Sequence, residues 1–279
     1  MTYKSLEVTI DNHIAHVKLN RPEALNSMNV DFWKELPKVI QEIDSAAEAR
    51  VIVLSSTGKH FTAGMDLAVF TSGNSIPMQG DPSRMAENLR RAVLQLQDAF
   101  NILETVRIPV LAAVQGGCIG GGIDMISACD SRYCTADSFF TIKETQLGMT
   151  ADLGTLQRLP HLIPQGVMRE LAYTGRNFDA QEAKSLGFVN QVFDTQEAML
   201  EGVFEIAKQI ARQSPLAVIG CKEMINYSRD HSVADSLKYM ATWQSGMFRP
   251  QDMMKCFAAK AQKTDAEFDP LMPVKDLFS

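Results

Sequence analysis

Cysteine and histidine are scarce in this sequence, and neither is arranged as a metal-binding motif. The 279-residue chain has five cysteines and five histidines. No C-x-x-C or H-E-x-x-H spacing occurs among them, so we expect neither a zinc site nor any other bound metal. Because the cysteines are odd in number and unpatterned, we interpret them as reduced thiols of a cytoplasmic protein.

An excess of positive charge and a long hydrophobic run are also absent. The formal net charge is -6 at pH 7, which gives the chain no general attraction for nucleic acid. Its most apolar window, 108–114, is far shorter than the roughly 20 residues that cross a bilayer. The first residues lack the layout of a signal peptide, and the last match no peroxisomal signal. We therefore expect a soluble cytoplasmic protein without nucleic-acid or membrane partners.

The pattern that is present is typical of an α/β protein. Hydrophobic residues make up 46% of the chain and charged residues 22%, as in ordinary globular domains. Apolar runs at 6–10, 14–19, 51–54 and 110–114 predict strands. An apolar stripe predicts a helix at about 85–106. Strands that alternate with helices favour a sheet with crossover connections.

The pattern changes after a last apolar strand at 189–193. From there on the hydrophobic spacing is helical only. We therefore predict an α/β core at 1–194 and a helical C-terminal region at 195–279. Within the core, 71–83 has no periodicity and is interpreted as a loop, either a solvated linker or a functional flap.

Two glycine-rich turns follow predicted strands and are candidate binding sites. The run 116–122, G-G-C-I-G-G-G, lies between the strand at 110–114 and a helical pattern, where glycine lets a backbone N–H approach a ligand closely. Such a turn favours an anion or oxyanion site, although a tight packing turn also accounts for it. Neither the dinucleotide fingerprint nor the P-loop pattern fits. The second run, 59–67, offers another exposed N–H around Gly64.

Three carboxylates near these turns are candidate acid–base groups. Asp124 follows the triple glycine, and Glu144 and Asp152 come after it. Each also has a structural alternative. Asp124 suits a helix N-terminus, Thr141 and Glu144 fit a capping box, and Asp152 fits the N-cap of a helix that contains Thr155. The residues alone leave both interpretations open.

Four motifs occur in order along the chain: L-N-R-P-E-A-L-N at 19–26, F-T-A-G-M-D-L at 61–67, G-G-G-I-D at 120–124 and G-T-L-Q-R-L at 154–159. Together they resemble the motifs of the crotonase, or enoyl-CoA hydratase/isomerase, superfamily. The resemblance continues to the C-terminal helices and so covers nearly the whole chain. It implies a spiral of ββα repeats with a helical trimerisation region, and hence a homotrimer or a homohexamer.

The resemblance also implies what the glycine turns bind. In the family, two backbone N–H groups hold the thioester oxygen of an acyl-CoA, and the matching positions are Met65 and Gly121. Coenzyme A enters as part of the substrate, so we expect no separate cofactor. Candidate cations for its phosphates are Arg21, Lys59 and the lysines of 255–263. The further substrate contacts implied by the motifs are Ala63, Gly64, Asp66, Leu67, Ala68 and Gly122.

The acids indicate which reaction of the family to expect. Hydratases have a glutamate at the position of Asp124 and commonly a glycine at 152, whereas Asp124, Glu144 and Asp152 together resemble the Δ3,5-Δ2,4-dienoyl-CoA isomerases of fatty acid β-oxidation. By this resemblance Glu144 takes a proton from C2, Asp152 returns one at C6 and Asp124 orients the pair. The exchange of roles between Glu144 and Asp152 stays open.

Two alternatives remain on the sequence. A 2-enoyl-CoA hydratase, or another crotonase-type acyl-CoA reaction, would use Asp124 as a working acid. A non-catalytic relative that binds acyl-CoA or RNA would not need the three carboxylates. The negative net charge argues against the RNA-binding version.

Overall fold

The fold was obtained as a computed structural model that describes residues 3–71 and 80–275. The predicted strands are confirmed, and the helix predicted at 85–106 spans Pro82–Thr105 because Asp81 caps it by accepting the N–H of Arg84. The strands are β1 (Leu6–Asp11), β2 (Ile14–Leu19), β3 (Val51–Ser56), β4 (Val110–Val114), β5 (Gly117–Ile119), β6 (Ser131–Thr135), β7 (Phe139–Thr141), β8 (Phe178–Asp179) and β9 (Gln191–Phe193). The α-helices are α1 (Val30–Ala46), α2 (Ala68–Thr71), α3 (Pro82–Thr105), α4 (Gly121–Ser127), α5 (Thr155–Arg158), α6 (Gln165–Thr174), α7 (Ala180–Ser185), α8 (Gln196–Ala211), α9 (Pro215–Asp230), α10 (Val233–Met247) and α11 (Pro250–Gln262).

The main sheet has six strands in the order β1-β2-β3-β4-β6-β9. An antiparallel hairpin joins β1 and β2 around Asn12 and His13, which both have positive φ, and the other pairings of this sheet are parallel. A second sheet has the order β5-β7-β8. The chain passes between the two sheets, since β4 leads to β5 and α4, and β6 leads to β7 and further helices. This topology confirms the predicted α/β spiral of ββα repeats.

The central strands β3 and β4 are buried on both faces, which explains the apolar runs at 51–54 and 110–114. In β3, Ile52 and Leu54 belong to one hydrophobic cluster while Val51 and Val53 belong to the other, as the two-residue repeat of a strand requires. Side chains of α1 and α3 complete the first cluster, and side chains of α8 complete the second. The sheet is therefore a middle layer between helices.

The apolar stripe that predicted α3 is buried only in the C-terminal half of the helix. Phe100 and Leu103 are fully buried, whereas Leu89 is 44% exposed. The exposed half follows the loop predicted at 71–83, of which residues 72–79 lie outside the described ranges. The interpretation of that loop as a linker or a flap stays a prediction.

After β9 the described residues contain helices and no further strand, as predicted. Lys222 of α9 connects this region to the core, because its buried Nζ donates to the carbonyls of Leu103 and Ile108 and lies 2.8 Å from Asp130 Oδ2. The division of the chain at Asp194 stays a prediction. In the described part of the chain, no helix is both long and apolar enough to cross a membrane.

Candidate active site

The first candidate donor, the N–H of Met65, lies in a segment that is held in place by its neighbours. Met28 donates its N–H to the Gly64 carbonyl at 2.8 Å and accepts the N–H of Asp66 at 3.2 Å. Met28 and Met65 thereby form an isolated parallel bridge. Both bonds are made by the neighbours of Met65, Gly64 and Asp66, so neither of them uses the N–H of Met65.

The second candidate donor, the N–H of Gly121, lies close to this segment. Gly64 has a φ of +87°, and a Cβ built on it would lie 2.7 Å from the Ile119 carbonyl oxygen and 3.7 Å from the Gly121 nitrogen. The two turns therefore meet backbone to backbone, which glycine alone permits. Among the hydrogen bonds of residues 3–71 and 80–275, none uses the N–H of Met65 or of Gly121. Such a pair of unengaged donors is what an oxyanion hole requires.

Asp124 lies in the first turn of α4, as predicted, and is only 1% exposed. Its Oδ1 accepts the N–H of Thr155 at 2.7 Å, which connects α4 to α5. Burial raises the pKa of Asp124 to about 6, and the negative charge of Asp152 adds to this rise. Asp124 therefore both fixes the backbone at Thr155 and contributes charge to the site.

Glu144 begins a short 3-10 helix, Glu144–Leu147, and lies against the glycine turn. A Cβ built on Gly120, whose φ is +54°, would lie 3.1 Å from Glu144 Oε1. Within the described residues, the buried Oε2 of Glu144 has no hydrogen-bond partner. Burial raises the pKa of Glu144 to about 7, with the charge of Asp124 as the next cause. A carboxyl group with an unpaired oxygen and a near-neutral pKa is suited to proton transfer.

The capping roles considered for Glu144 and Asp152 are wrong. Thr141 donates its hydroxyl to Asn177, and the 3-10 helix that begins at Glu144 has no side-chain cap. The N-cap of α5 is Gly154 rather than Asp152. Neither carboxylate is therefore used to cap a helix.

Asp152 lies half-buried on the loop that leads into α5. Burial raises the pKa of its carboxyl group. Asp152 precedes by three residues Thr155, whose N–H Asp124 accepts, so these two acids lie on adjoining segments, and the negative charge of Asp152 raises the pKa values of Asp124 and Glu144. The structure thus brings together the three predicted acids and the two predicted amides. Such a site can hold an oxyanion, remove a proton and return one.

The other predicted substrate contacts differ in their surroundings. Asp66 is engaged within the chain, because it accepts the N–H of Ala68 at 3.0 Å and the hydroxyl of Ser27 at 3.1 Å, and the first of these bonds lowers its pKa most. Leu67 is 68% exposed, whereas Gly122 is buried against Thr62 and Cys118. Contact with the substrate stays a prediction for Ala63, Gly64, Asp66, Leu67, Ala68 and Gly122.

The candidate cations for the phosphates of coenzyme A do not share contacts with one another. Arg21 donates to the Ser27 carbonyl at 2.6 Å and lies 3.5 Å from Asp66 Oδ2. Lys59 is exposed, and the Nζ of Lys255 lies 3.4 Å from Asp269 Oδ1. Phosphate binding by these residues, and by the other lysines of 255–263, stays a prediction.

Sequence reasoning missed three residues that hold the site in place. Met28 pairs with Met65, Thr155 donates to Asp124, and Gln97 of α3 donates its Nε2 to the Asp152 carbonyl at 2.6 Å. Thr155 lies inside one quoted motif and Met28 lies just after another, which was the available signal. Gln97 had none, since it is 55 positions from its partner.

Two unengaged amides beside carboxyl groups with raised pKa values define an acid–base enzyme that stabilises an oxyanion. Among enzymes of this class, the spiral fold indicates one family. The model of the family described as enoyl-CoA hydratase/isomerase matches residues 9–270. The chain belongs to this family, as the motifs predicted.

Individual relatives match nearly the whole chain. It is 46% identical over 267 residues to the mitochondrial Delta(3,5)-Delta(2,4)-dienoyl-CoA isomerase of Mus musculus, covering 95% of this chain and 82% of the relative. It is 43% identical to the peroxisomal protein of the same activity from Arabidopsis thaliana, covering 96% and 98%. The crystal structure of an enoyl-CoA hydratase from Bacillus anthracis matches with a TM-score of 0.83 at 30% identity, covering 98% of this chain and 100% of that one. These matches confirm the predicted family and fold.

Proposed function

We propose that the protein converts 3,5-dienoyl-CoA thioesters to 2,4-dienoyl-CoA thioesters. The observation that carries this proposal is the convergence of Asp124, Glu144 and Asp152 beside the amides of Met65 and Gly121. The reaction moves a proton from C2 to C6, so it needs two acid–base groups rather than one. The relatives at 46% and 43% identity carry the name of this activity.

Position favours Glu144 as the group that acts at C2. Its Oε1 lies against Gly120, which directly precedes the Gly121 amide that would hold the thioester oxygen on C1. With a pKa raised to about 7, Glu144 exchanges a proton readily near neutral pH, and its ionised form can take the C2 proton. The electron pair of the C2–H bond enters the dienolate, whose oxygen accepts the N–H groups of Met65 and Gly121.

Asp152 then donates its proton to C6, and the electron pair of the dienolate forms the new C–H bond and the 2,4-diene. The raised pKa of Asp152 favours the protonated form that this step requires. The proton taken from C2 remains on Glu144, and exchange with water restores both groups. The exchanged assignment, with Asp152 as base and Glu144 as acid, stays open, because a pKa of about 7 suits Glu144 to either role.

A paired ultraviolet assay of the purified protein tests this function. One cuvette contains a 3,5-dienoyl-CoA and the other a 2-enoyl-CoA of the same chain length. Growth of the conjugated dienoyl-thioester absorbance in the first, with little change in the second, is expected. Loss of enoyl absorbance in the second alone would contradict the proposal.

Hydration of a 2-enoyl-CoA is the second candidate function, because the Bacillus anthracis structure that matches this fold is of an enoyl-CoA hydratase. Two observations disfavour it. Asp124 is one methylene shorter than the glutamate implied for hydratases, and its Oδ1 is already engaged by the Thr155 N–H. A carboxylate in this state is poorly placed to hold the water that adds at C3.

The assembly we propose is a homotrimer or a homohexamer formed through the C-terminal helices. Three apolar residues of this region, Val233, Leu237 and Phe257, are each more than half exposed. Exposed apolar surface of this kind marks an interface. A groove of about 570 Å³ lies in the same region, lined by residues that include Leu216, Met224, Met240, Trp243 and Met253. Light scattering after gel filtration should give three or six times 30.9 kDa.

We further propose that catalysis needs no metal or separate cofactor and takes place in the cytoplasm. The thioester itself acidifies C2, so dialysis against EDTA should leave the rate unchanged. Cys118, Cys129 and Cys134 are free and buried, which is typical of reduced thiols. The names of the two relatives place those proteins in mitochondria and peroxisomes. Fractionation of the source cells distinguishes these compartments.

A further inference from the structure

The loop that carries Asp152 is attached to one face of α3. Gln97 of this helix donates its side-chain amide to the Asp152 carbonyl at 2.6 Å. This is a direct contact with the backbone of a residue whose carboxyl group must reach C6. Because Gln97 is itself half-buried, its donor group is held in a defined place.

Two further residues on the same face of α3 hold α5, the helix that follows the loop. Asn101 and Glu104 follow Gln97 at helical spacing, four and seven residues further on. Asn101 Oδ1 accepts from Arg158 Nη2 at 2.6 Å, and Glu104 Oε2 lies 3.0 Å from the same nitrogen. The Arg158 guanidinium in turn fills the space beside Gly154, where a Cβ would lie 2.0 Å from Nη1.

A polar cavity of about 340 Å³ lies between α3 and this loop, and its lining includes Gln97, Leu153, Gly154 and Arg158. The cavity lies beside Leu153 and Gly154, the two residues that follow Asp152, and is large enough to admit water. The hydrogen bond from Gln97 is therefore a restraint with an open space beside it. Without that restraint, the carboxyl group of Asp152 would become more mobile and more hydrated.

We propose that Gln97 is a positioning residue, whose amide fixes the backbone of Asp152 so that its carboxyl group reaches C6 of the bound substrate. The inference rests on the proposed isomerase function. Gln97 acts through Asp152 and takes no proton itself. A displacement of about 1 Å at a reacting group can cost about 100-fold in rate, so one restraint on the backbone is enough to matter.

The direct test replaces Gln97 with methionine, which has a similar length and no N–H donor. We expect Gln97→Met to lower kcat for a 3,5-dienoyl-CoA by about 10- to 100-fold with little change in KM, because the thioester contacts are untouched. Gln95→Met is the matched control, since Gln95 lies on the same helix but is exposed. Its kcat should stay within about twofold of wild type.

Two readouts separate positioning from a general structural effect. In Gln97→Met, the limb of the pH–rate profile that belongs to Asp152 should move to lower pH, because hydration of the carboxyl group removes part of the burial that raises its pKa. In an Asp152→Asn background, measured with excess enzyme, adding Gln97→Met should reduce the residual rate by less than about twofold.

The results of these experiments distinguish failure of the proposed function from failure of the role assigned to Gln97. A wild-type protein that does not isomerise dienoyl-CoA would refute the proposed function and not this inference alone. An active wild type with equal kcat in Gln97→Met and Gln95→Met would overturn the role of Gln97. So would a loss from Gln97→Met in the Asp152→Asn background as large as the loss in wild type, because the effect would then not pass through Asp152.

Discussion

Replacement of Gly64 with alanine is expected to remove most of the activity while the chain stays folded. The new Cβ would lie 2.7 Å from the Ile119 carbonyl oxygen, a distance that real Cβ atoms essentially never show. The φ of +87° adds roughly 1–2 kcal/mol of backbone strain for a residue with a side chain. To relieve the contact, the turn that carries Met65 must move away from the turn that carries Gly121. The two amides then no longer converge on one oxygen atom.

The size of the effect follows from the loss of one oxyanion donor. Such a loss typically costs about 3 to 4 kcal/mol of transition-state stabilisation, which corresponds to roughly 100- to 1000-fold in kcat. Because the interaction is made chiefly in the transition state, kcat and kcat/KM should fall together. The assay follows the conjugated dienoyl-thioester absorbance with a 3,5-dienoyl-CoA as substrate.

Gly187→Ala is the matched control for backbone strain. Gly187 has a φ of +80°, but the nearest atom to its Cβ would be the Leu162 carbonyl oxygen at 3.9 Å, which is an ordinary contact. Gly187→Ala should lose the thermal stability that the positive φ alone costs, Gly64→Ala should lose more because of its close contact, and only Gly64→Ala should lose activity. A folded Gly64→Ala protein that keeps kcat within about threefold of wild type would refute the assignment of the oxyanion hole.

Other predictions concern the acids and Lys222, which connects the C-terminal helices to the core. Because burial raises the pKa of Glu144 to about 7, kcat/KM should rise with pH through about 7 and Glu144→Gln should lose this limb; a limb retained in the variant would assign it to another group. Asp124→Ala should be less active than Asp124→Asn, since asparagine still offers an acceptor for the Thr155 N–H; equal kcat values would contradict that role. The folded-state pKa of Asp124, about 6, lies above its unfolded value, so its stabilising contribution is complete only at low pH and is lost as pH rises through about 6; urea unfolding at pH 8 should show Asp124→Asn to be more stable than wild type. Lys222→Met leaves Asp130 without its cation and should lower the free energy of unfolding by about 2 kcal/mol, and an unchanged urea midpoint would contradict this.

The sheet could be predicted from the sequence because burial on two faces affects every position of a strand. β3 and β4 are covered by helices on both sides, so both are apolar, apart from the two serines that end β3, and stand out from their surroundings. The burial along α3 could not be predicted in the same way. Its stripe is regular, yet Leu89 is exposed while Phe100 is buried, since contact with the core depends on where the helix lies.

The candidate site also combines features that a short segment determines with contacts that depend on distant residues. Gly64 and Gly120 could be located because both lie in short glycine-containing turns, where glycine permits the positive φ angles that the structure shows. The capping role considered for Thr141 was wrong because its partner Asn177 lies 36 positions away. The restraint on Asp152 could not be predicted for the same reason, since local patterns do not specify contacts between distant parts of a chain.

The most direct test of the account is the position of deuterium in the product formed in D2O. The protein is incubated with a 3,5-dienoyl-CoA in D2O, and the product is examined by NMR before equilibrium is reached. Our account predicts a 2,4-dienoyl-CoA that carries deuterium at C6 and no hydroxyl group at C3. A product hydroxylated at C3, or a 2,4-diene without deuterium at C6, would contradict proton return at C6 by a solvent-exchanged acid.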